Sequence, residues 1–331
     1  MLTAAGAAAY YEFHYVPAHR APGEAAYVLP QSLDVVDTTA ELRNVVATIK
    51  SGDRVRVLAR TPNWAQIRVA DGRTGWVEGK NLLDAQTYQK GQGLLKKLQN
   101  SVPQAAGHTS AVTSLHLDPG RDGTVLGELP QSVKIDVFGR RLIRRHADET
   151  GAPKSAVRDA WYLVRTSSQA GWVLGRLVDL DVPPALAPYA AGVNMVAWQV
   201  LKTVTDGGKQ VPEYLVADRI GAENVDFNHI RVFTWWVKHH KYVTAYVESN
   251  LAGYFPIQVV RPTAANPAQA SAAFRLRLVD SGGHRFQKVY GMFDTIVRPL
   301  GTVDGWESQA MPEPAAPARR RGARRRRRGH R

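Results

Sequence analysis

TGWVEGKNLLD spans residues 74–84, and AGWVLGRLVDL spans 170–180. One chain thus carries Gly-Trp-Val-x-Gly-basic twice. The likeness extends backwards from both motifs. Asn44 to Ile49 (NVVATI) matches Thr124 to Leu129 (TVLGEL), and Arg54 to Arg60 (RVRVLAR) matches Lys134 to Arg140 (KIDVFGR), at one constant offset of 80. Trp64 then matches Trp161, and Gly75-Trp76-Val77 matches Gly171-Trp172-Val173. Between these points the second copy gains the polar, basic stretch Arg141 to Asp159, which reads as a long loop between two strands. The chain therefore contains an internal repeat of two small units.

Both units are β in pattern. Arg54-Val55-Arg56-Val57 and Gln66-Ile67-Arg68-Val69 alternate polar and apolar residues, as half-buried strands do, and Asp71-Gly72 marks a hairpin turn. A unit this small must close tightly around little core. Gly75 and Gly171 let the backbone enter a strand without a Cβ clash. Trp76 and Trp172 are expected to bury their rings as structural core.

Each unit resembles a bacterial Src-homology-3 domain. The first supplies Leu33-Asp34-Val35, Gly52-Asp53-Arg54-Val55-Arg56-Val57-Leu58, Trp64, Gly75-Trp76-Val77 and Leu82. The second supplies Leu115-His116-Leu117, Trp161, Gly171-Trp172-Val173 and Leu177, with Gln131-Ser132 where the Gly-Asp pair should stand. The resemblance covers residues 27–83 and 110–180. It implies two five-stranded barrels and a peptide-receiving groove near Trp64 and Trp161. Two roles are open for these rings, ligand platform or packing residue.

The remaining segments are read from their own residues. Residues 84–109 form a helical linker, with Asp84 as the cap and Tyr88, Leu94, Leu95 and Leu98 near one face. Residues 190–305 match no motif but alternate like strands, with Asp206-Gly207-Gly208 and Ser281-Gly282-Gly283 as turns. An antiparallel meander of six to eight strands is expected there, as a barrel or a sandwich. The fold class is therefore all-β: two small barrels followed by a larger antiparallel domain. Pro262 to Ala272 reads as a loop between strands.

Charge and termini bear on location. The formal charge is +14, but Arg319, Arg320, Arg321, Arg324, Arg325, Arg326, Arg327, Arg328 and Arg331 supply much of it from the Pro-, Ala- and Arg-rich tail, residues 306–331. That tail reads as disordered, either a solvated end or a contact for polyanions such as phosphate polymers, acidic lipid or nucleic acid. In segment 1–26, Leu2 to Phe13 is apolar but shorter than the ~20 residues of a bilayer span. Two readings fit it: an Ala-rich terminus, or the remnant of an export or anchor helix that begins upstream. The second would allow membrane attachment through a missing extension.

Little in the sequence supports chemistry. There is no cysteine, which removes disulfides, Cys metal sites and Cys nucleophiles. His229, His239, His240, His284 and Glu248 lie in the third region without metal-ligand spacing, so no metal or cofactor is expected. Trp235 and Trp236 are adjacent, so one ring should face inward and the other, taken as Trp236, outward as a binding aromatic. The expected function is a non-catalytic, extracytoplasmic binding or scaffold protein that recognises an envelope peptide, peptidoglycan or a protein partner. The alternatives are a cell-envelope hydrolase with a catalytic third domain and, more weakly, polyanion or nucleic-acid binding through the tail. If the N-terminus is complete, the location is cytoplasmic.

Overall fold

The computed structural model describes residues 23–144, 158–221, 224–260 and 270–306. The apolar segment Leu2 to Phe13, most of the insertion, most of the loop after Val260 and the arginine tail lie outside the described residues.

The first unit consists of β1 (Ala25–Val28), β2 (Ser32–Val36), β3 (Val45–Lys50), β4 (Arg54–Arg60), β5 (Trp64–Arg68), β6 (Thr74–Glu78) and β7 (Leu82–Asp84), in sheet order β3-β2-β6-β5-β4-β1-β7. Alternation places Val55, Val57, Ala65, Ile67 and Val77 in its core and turns Arg54, Arg56 and Arg68 outward. The second unit has β8 (Ala105–Thr109), β9 (Thr113–His116), β10 (Val125–Leu129), β11 (Lys134–Arg144), β12 (Arg158–Arg165), β13 (Ala170–Leu174) and β14 (Val178–Leu180). Its order, β10-β9-β13-β12-β11-β8-β14, repeats the first strand for strand. Each curled sheet holds seven strands rather than the expected five. A leading strand and a three-residue closing strand pair with each other and complete it.

Two details of the repeat differ from the sequence reading. Val36 faces Trp76 and His116 faces Trp172, so Leu33-Asp34-Val35 corresponds to Thr113-Ser114-Leu115, not to Leu115-His116-Leu117. A slip of two residues keeps every side chain on its own face, so alternation alone cannot detect it. The insertion is also shorter than Arg141 to Asp159. Strands β11 and β12 continue into it, and Arg144 still pairs with Arg158.

Helix α1 (Ala85–Gln99) joins the units, and Asp84 caps it by accepting from the Thr87 N–H. Tyr88 stacks on Tyr27 of the first unit at 3.7 Å. On the other side Leu95 and Leu98 pack with Phe138, Trp161, Leu163, Ala170 and Trp172 of the second.

The third domain is an eight-stranded meander in two four-stranded sheets. One holds β15 (Asn194–Asp206), β16 (Lys209–Arg219), β17 (His229–Trp236) and β18 (Lys241–Glu248). The other holds β19 (Gly253–Val260), β20 (Ala272–Val279), β21 (Arg285–Phe293) and β22 (Ile296–Asp304). Both line one core, including Leu215, Phe227, Ile230 and Val232 from the first half and Phe274, Leu276, Tyr290 and Met292 from the second. The domain docks on the second unit through side chains that stand in for strand pairing. Buried Gln104 accepts from the Ile257 N–H at 2.7 Å and donates to the Ile257 carbonyl at 3.3 Å. Arg140 donates to the Val225 carbonyl at 2.9 Å and lies 3.6 Å from buried Asp226.

Candidate functional site

The two repeated units present the same outward face, and the structure treats the two faces differently. In the first unit β5 and β6 direct Trp64, Gln66, Trp76 and Glu78 outward, with Trp64 opposite Glu78 and Gln66 opposite Trp76. Trp64 lines a groove of about 350 Å³ with Leu33, Asp34, Val36, Arg43, Val45 and others. The Arg43 guanidinium lies 5.1 Å from the Trp64 ring centre. The Thr48 hydroxyl donates to Asp34 at 2.7 Å. Lys80, 2.6 Å from Glu78, holds that carboxyl below the usual carboxylate range. The groove thus offers an aromatic wall, one cation and two carboxylates. That combination suits an extended peptide carrying both charge and apolar groups.

The corresponding face of the second unit is covered. Trp161 pairs opposite Leu174, and Leu163 opposite Trp172. Helix α1 lies over them, leaving Trp161 only 3% and Trp172 6% exposed. His116 also meets the Trp161 ring edge-on at 5.0 Å. Trp161 therefore has no face to offer a ligand while the helix is docked, which corrects its reading as a ligand platform. The two motif tryptophans do not enter their barrel cores. Val77 and Val173 fill the barrel cores, whereas Trp76 and Trp172 point out of them. Trp172 is buried against the helix, and Trp76 stays partly exposed on the open face.

The glycines before them do admit close packing. A Cβ on Gly75 would stand 2.6 Å from the Val36 carbonyl oxygen, and one on Gly171 2.6 Å from that of His116. Strand β2 passes directly over Gly75, and β9 over Gly171.

Trp236 sits elsewhere, at the β17–β18 hairpin tip, 44% exposed. His239 packs on it at 3.8 Å, and the Lys241 ammonium lies 5.6 Å from the ring. Trp235 is partly buried and donates its indole N–H to Asp206 at 2.7 Å. The structure does not bring Trp236 to the Trp64 groove, because the two lie on different domains.

Two acid–base clusters of the third domain are saturated, those around Glu248 and Asp218. Glu248 accepts from Lys288 at 2.6 Å, from Tyr246 at 2.7 Å and from Tyr290 at 2.8 Å. Burial would raise the Glu248 carboxyl, but these three donors outweigh it and hold it below its ordinary range. Burial and then the same carboxylate push the Tyr246 hydroxyl up to about 12. Buried Asp218 likewise takes the Arg231 fork at 2.8 and 2.9 Å and His229 at 2.9 Å. Among the described residues no group of three or more His, Cys, Asp or Glu is placed to hold a metal ion.

Residues 43–82 match the bacterial SH3 domain family. The matched stretch runs from just before β3 to the start of β7 and contains both Trp64 and Trp76. No curated protein matches the chain. Among solved structures, a NlpC/P60 family protein from Bacillus cereus ATCC 10987 aligns at 10% identity and a TM-score of 0.23, over 68% of this chain and 94% of that one. NlpC2 and NlpC1 from Trichomonas vaginalis align at 7% and 8% identity, each with a TM-score of 0.18. These alignments cover 71% and 85% of this chain and 98% and 92% of theirs. Superpositions this loose assign neither a fold nor a residue role.

The groove partners Arg43, Glu78 and Asp34 were not evident as site residues from the sequence. One signal was available. Gln66 and Glu78 in the first unit correspond to Leu163 and Leu174 in the second, and a polar-to-apolar change on an outward face marks which face is covered.

Proposed function

We propose that the chain is a non-catalytic binding protein of the cell envelope, which holds an envelope peptide or peptidoglycan stem peptide in the Trp64 groove of the first barrel. The observation that carries this reading is the asymmetry of the repeat. Equivalent faces bear Trp64 and Trp161, yet only the first is open. The second unit shares the strand order and the Gly-Trp-Val signature, and we read it as a second bacterial SH3-like domain that serves as a frame. Its binding face is used to dock the helix, so the pair works as one recognition surface on a rigid support. An envelope location is in keeping with the family matched at 43–82. Among the described residues no helix is long and apolar enough to cross a membrane. The saturated Glu248 and Asp218 carboxylates and the absence of cysteine favour binding over hydrolysis.

Co-sedimentation with insoluble peptidoglycan tests this. The wild-type chain should pellet with the wall material, and Trp64→Ala should stay in solution while its circular dichroism is unchanged. Release of soluble muropeptides by the wild-type chain would support the hydrolase alternative instead.

A further inference from the structure

The repeat provides an internal control for a second surface of the first barrel. In the second unit Asp136 on β11 lies directly opposite Arg165 on β12, and the two form an ion pair at 2.5 Å. The corresponding residues of the first unit are Arg56 on β4 and Arg68 on β5, also directly opposite each other. Both arginines are exposed, and Arg54, two residues along β4, faces outward beside them. None of the three has a carboxylate partner among the described residues. Directly opposed like charges destabilise a strand pair, and the neighbouring repeat shows that this position accommodates the favourable combination.

We propose that the outward face of β4 and β5 in the first barrel is a binding surface for a flexible polymer carrying repeated phosphate groups. Directly opposed Cβ atoms are about 5 Å apart, and residues two apart along a strand about 7 Å. Three guanidinium forks spread over that distance exceed what one small anion can satisfy, and an open sheet face encloses no single ion. They suit successive phosphates along a chain, each able to take a bidentate fork. A lipid surface fits less well. The side chains flanking the arginines across the ladder are Ala25, Thr74 and Tyr27, and Tyr27 is stacked on Tyr88, so no large apolar group stands free to insert. Arg68 shares the outward face of β5 with Trp64, but none of the three arginines lines the groove, and the proposal holds whether or not the groove takes peptide.

The test uses the full chain and long-chain inorganic polyphosphate, titrated at several salt concentrations. Arg56→Asp installs the charge pattern of the second unit. It should weaken binding by about tenfold or more at low salt, and it should lower the slope of log K against log salt by roughly 0.7 to 1.5, the equivalent of one or two phosphate contacts. It should not lower the melting temperature, because it supplies Arg68 with a partner. Should that variant misfold, Arg68→Gln with Arg54→Gln reads the same surface without a new charge. The tail is present in every protein compared, so unchanged affinity and slope in these variants would place the binding elsewhere and overturn the proposal. Absence of polyphosphate binding by the wild-type chain would also overturn it. So would vesicles of anionic phospholipid bound more tightly than polyphosphate and equally sensitive to Arg56→Asp, which would assign the surface to a membrane. Peptidoglycan sedimentation by the same variants reads the groove independently.

Discussion

Trp172→Ala and Trp76→Ala remove the same ring from corresponding positions, and the structure gives them unequal costs. Trp172 is 6% exposed and lies among Leu95, Leu98, Phe138, Trp161, Leu163 and Ala170. A buried aromatic of this kind removes roughly 150–200 Å² of apolar surface from water, worth about 4–5 kcal/mol at 25 cal/mol per Å². Truncation in a closed site typically costs about 3–5 kcal/mol. Trp76 is partly exposed and belongs to no buried cluster. Its removal opens a notch to water rather than a sealed cavity, so the cost should be about 1–2 kcal/mol. The loss in Trp172→Ala should also be local, because its neighbours are the helix and the outer face of the second barrel. Hydrogen exchange by mass spectrometry resolves this. Amides of residues 85–99 and 158–174 should lose protection by roughly a hundred- to a thousandfold in Trp172→Ala, while the β4 and β5 amides stay protected. Equal effects of the two substitutions, or loss of protection throughout the first barrel in Trp172→Ala, would refute the assignment of this ring to the helix interface.

Two further outcomes follow from close contacts and from burial. Gly171→Ala should destabilise the second barrel by about 1–3 kcal/mol in urea unfolding, because the new Cβ meets the backbone oxygen of His116 at 2.6 Å and only a strand shift can relieve it. Burial raises the Asp226 carboxyl from 3.8 to about 6, against the opposing Phe255 N–H and Arg140. The native state therefore holds this proton more tightly than the unfolded chain does. The group's contribution to stability falls as pH rises from about 4 to about 6, by at most about 3 kcal/mol. The difference between wild-type and Asp226→Asn urea midpoints, followed across pH 4–7, should show that slope only in the wild type.

Much of the architecture could be read from alternation and turn residues, since Val55, Val57 and Ile67 announce their inward face by their neighbours Arg54, Arg56 and Arg68. The repeat was visible for the same reason: a sheet that must pass a strand over Gly75 and Gly171 constrains both copies alike. The direction in which Trp76 and Trp172 point was not legible. In Gly-Trp-Val both Trp and Val are apolar, so period two does not say which of them enters the core. Strand β22 was hidden by Pro299 and Gly301, which break the pattern of an edge strand that is exposed along most of its length. The open groove was only partly legible. Trp64 was a candidate from its place in the family pattern, but the covering of Trp161 depends on where helix α1 lands, and that is a tertiary event.

The proposed function requires that the Trp64 groove of the first barrel be the site that takes the ligand. Isothermal titration of a soluble peptidoglycan stem-peptide fragment into the full chain tests it most directly. One site per chain is expected, abolished by Trp64→Ala and retained in Trp161→Phe. Two equivalent sites per chain, or a single site that survives Trp64→Ala with unchanged affinity, would contradict it.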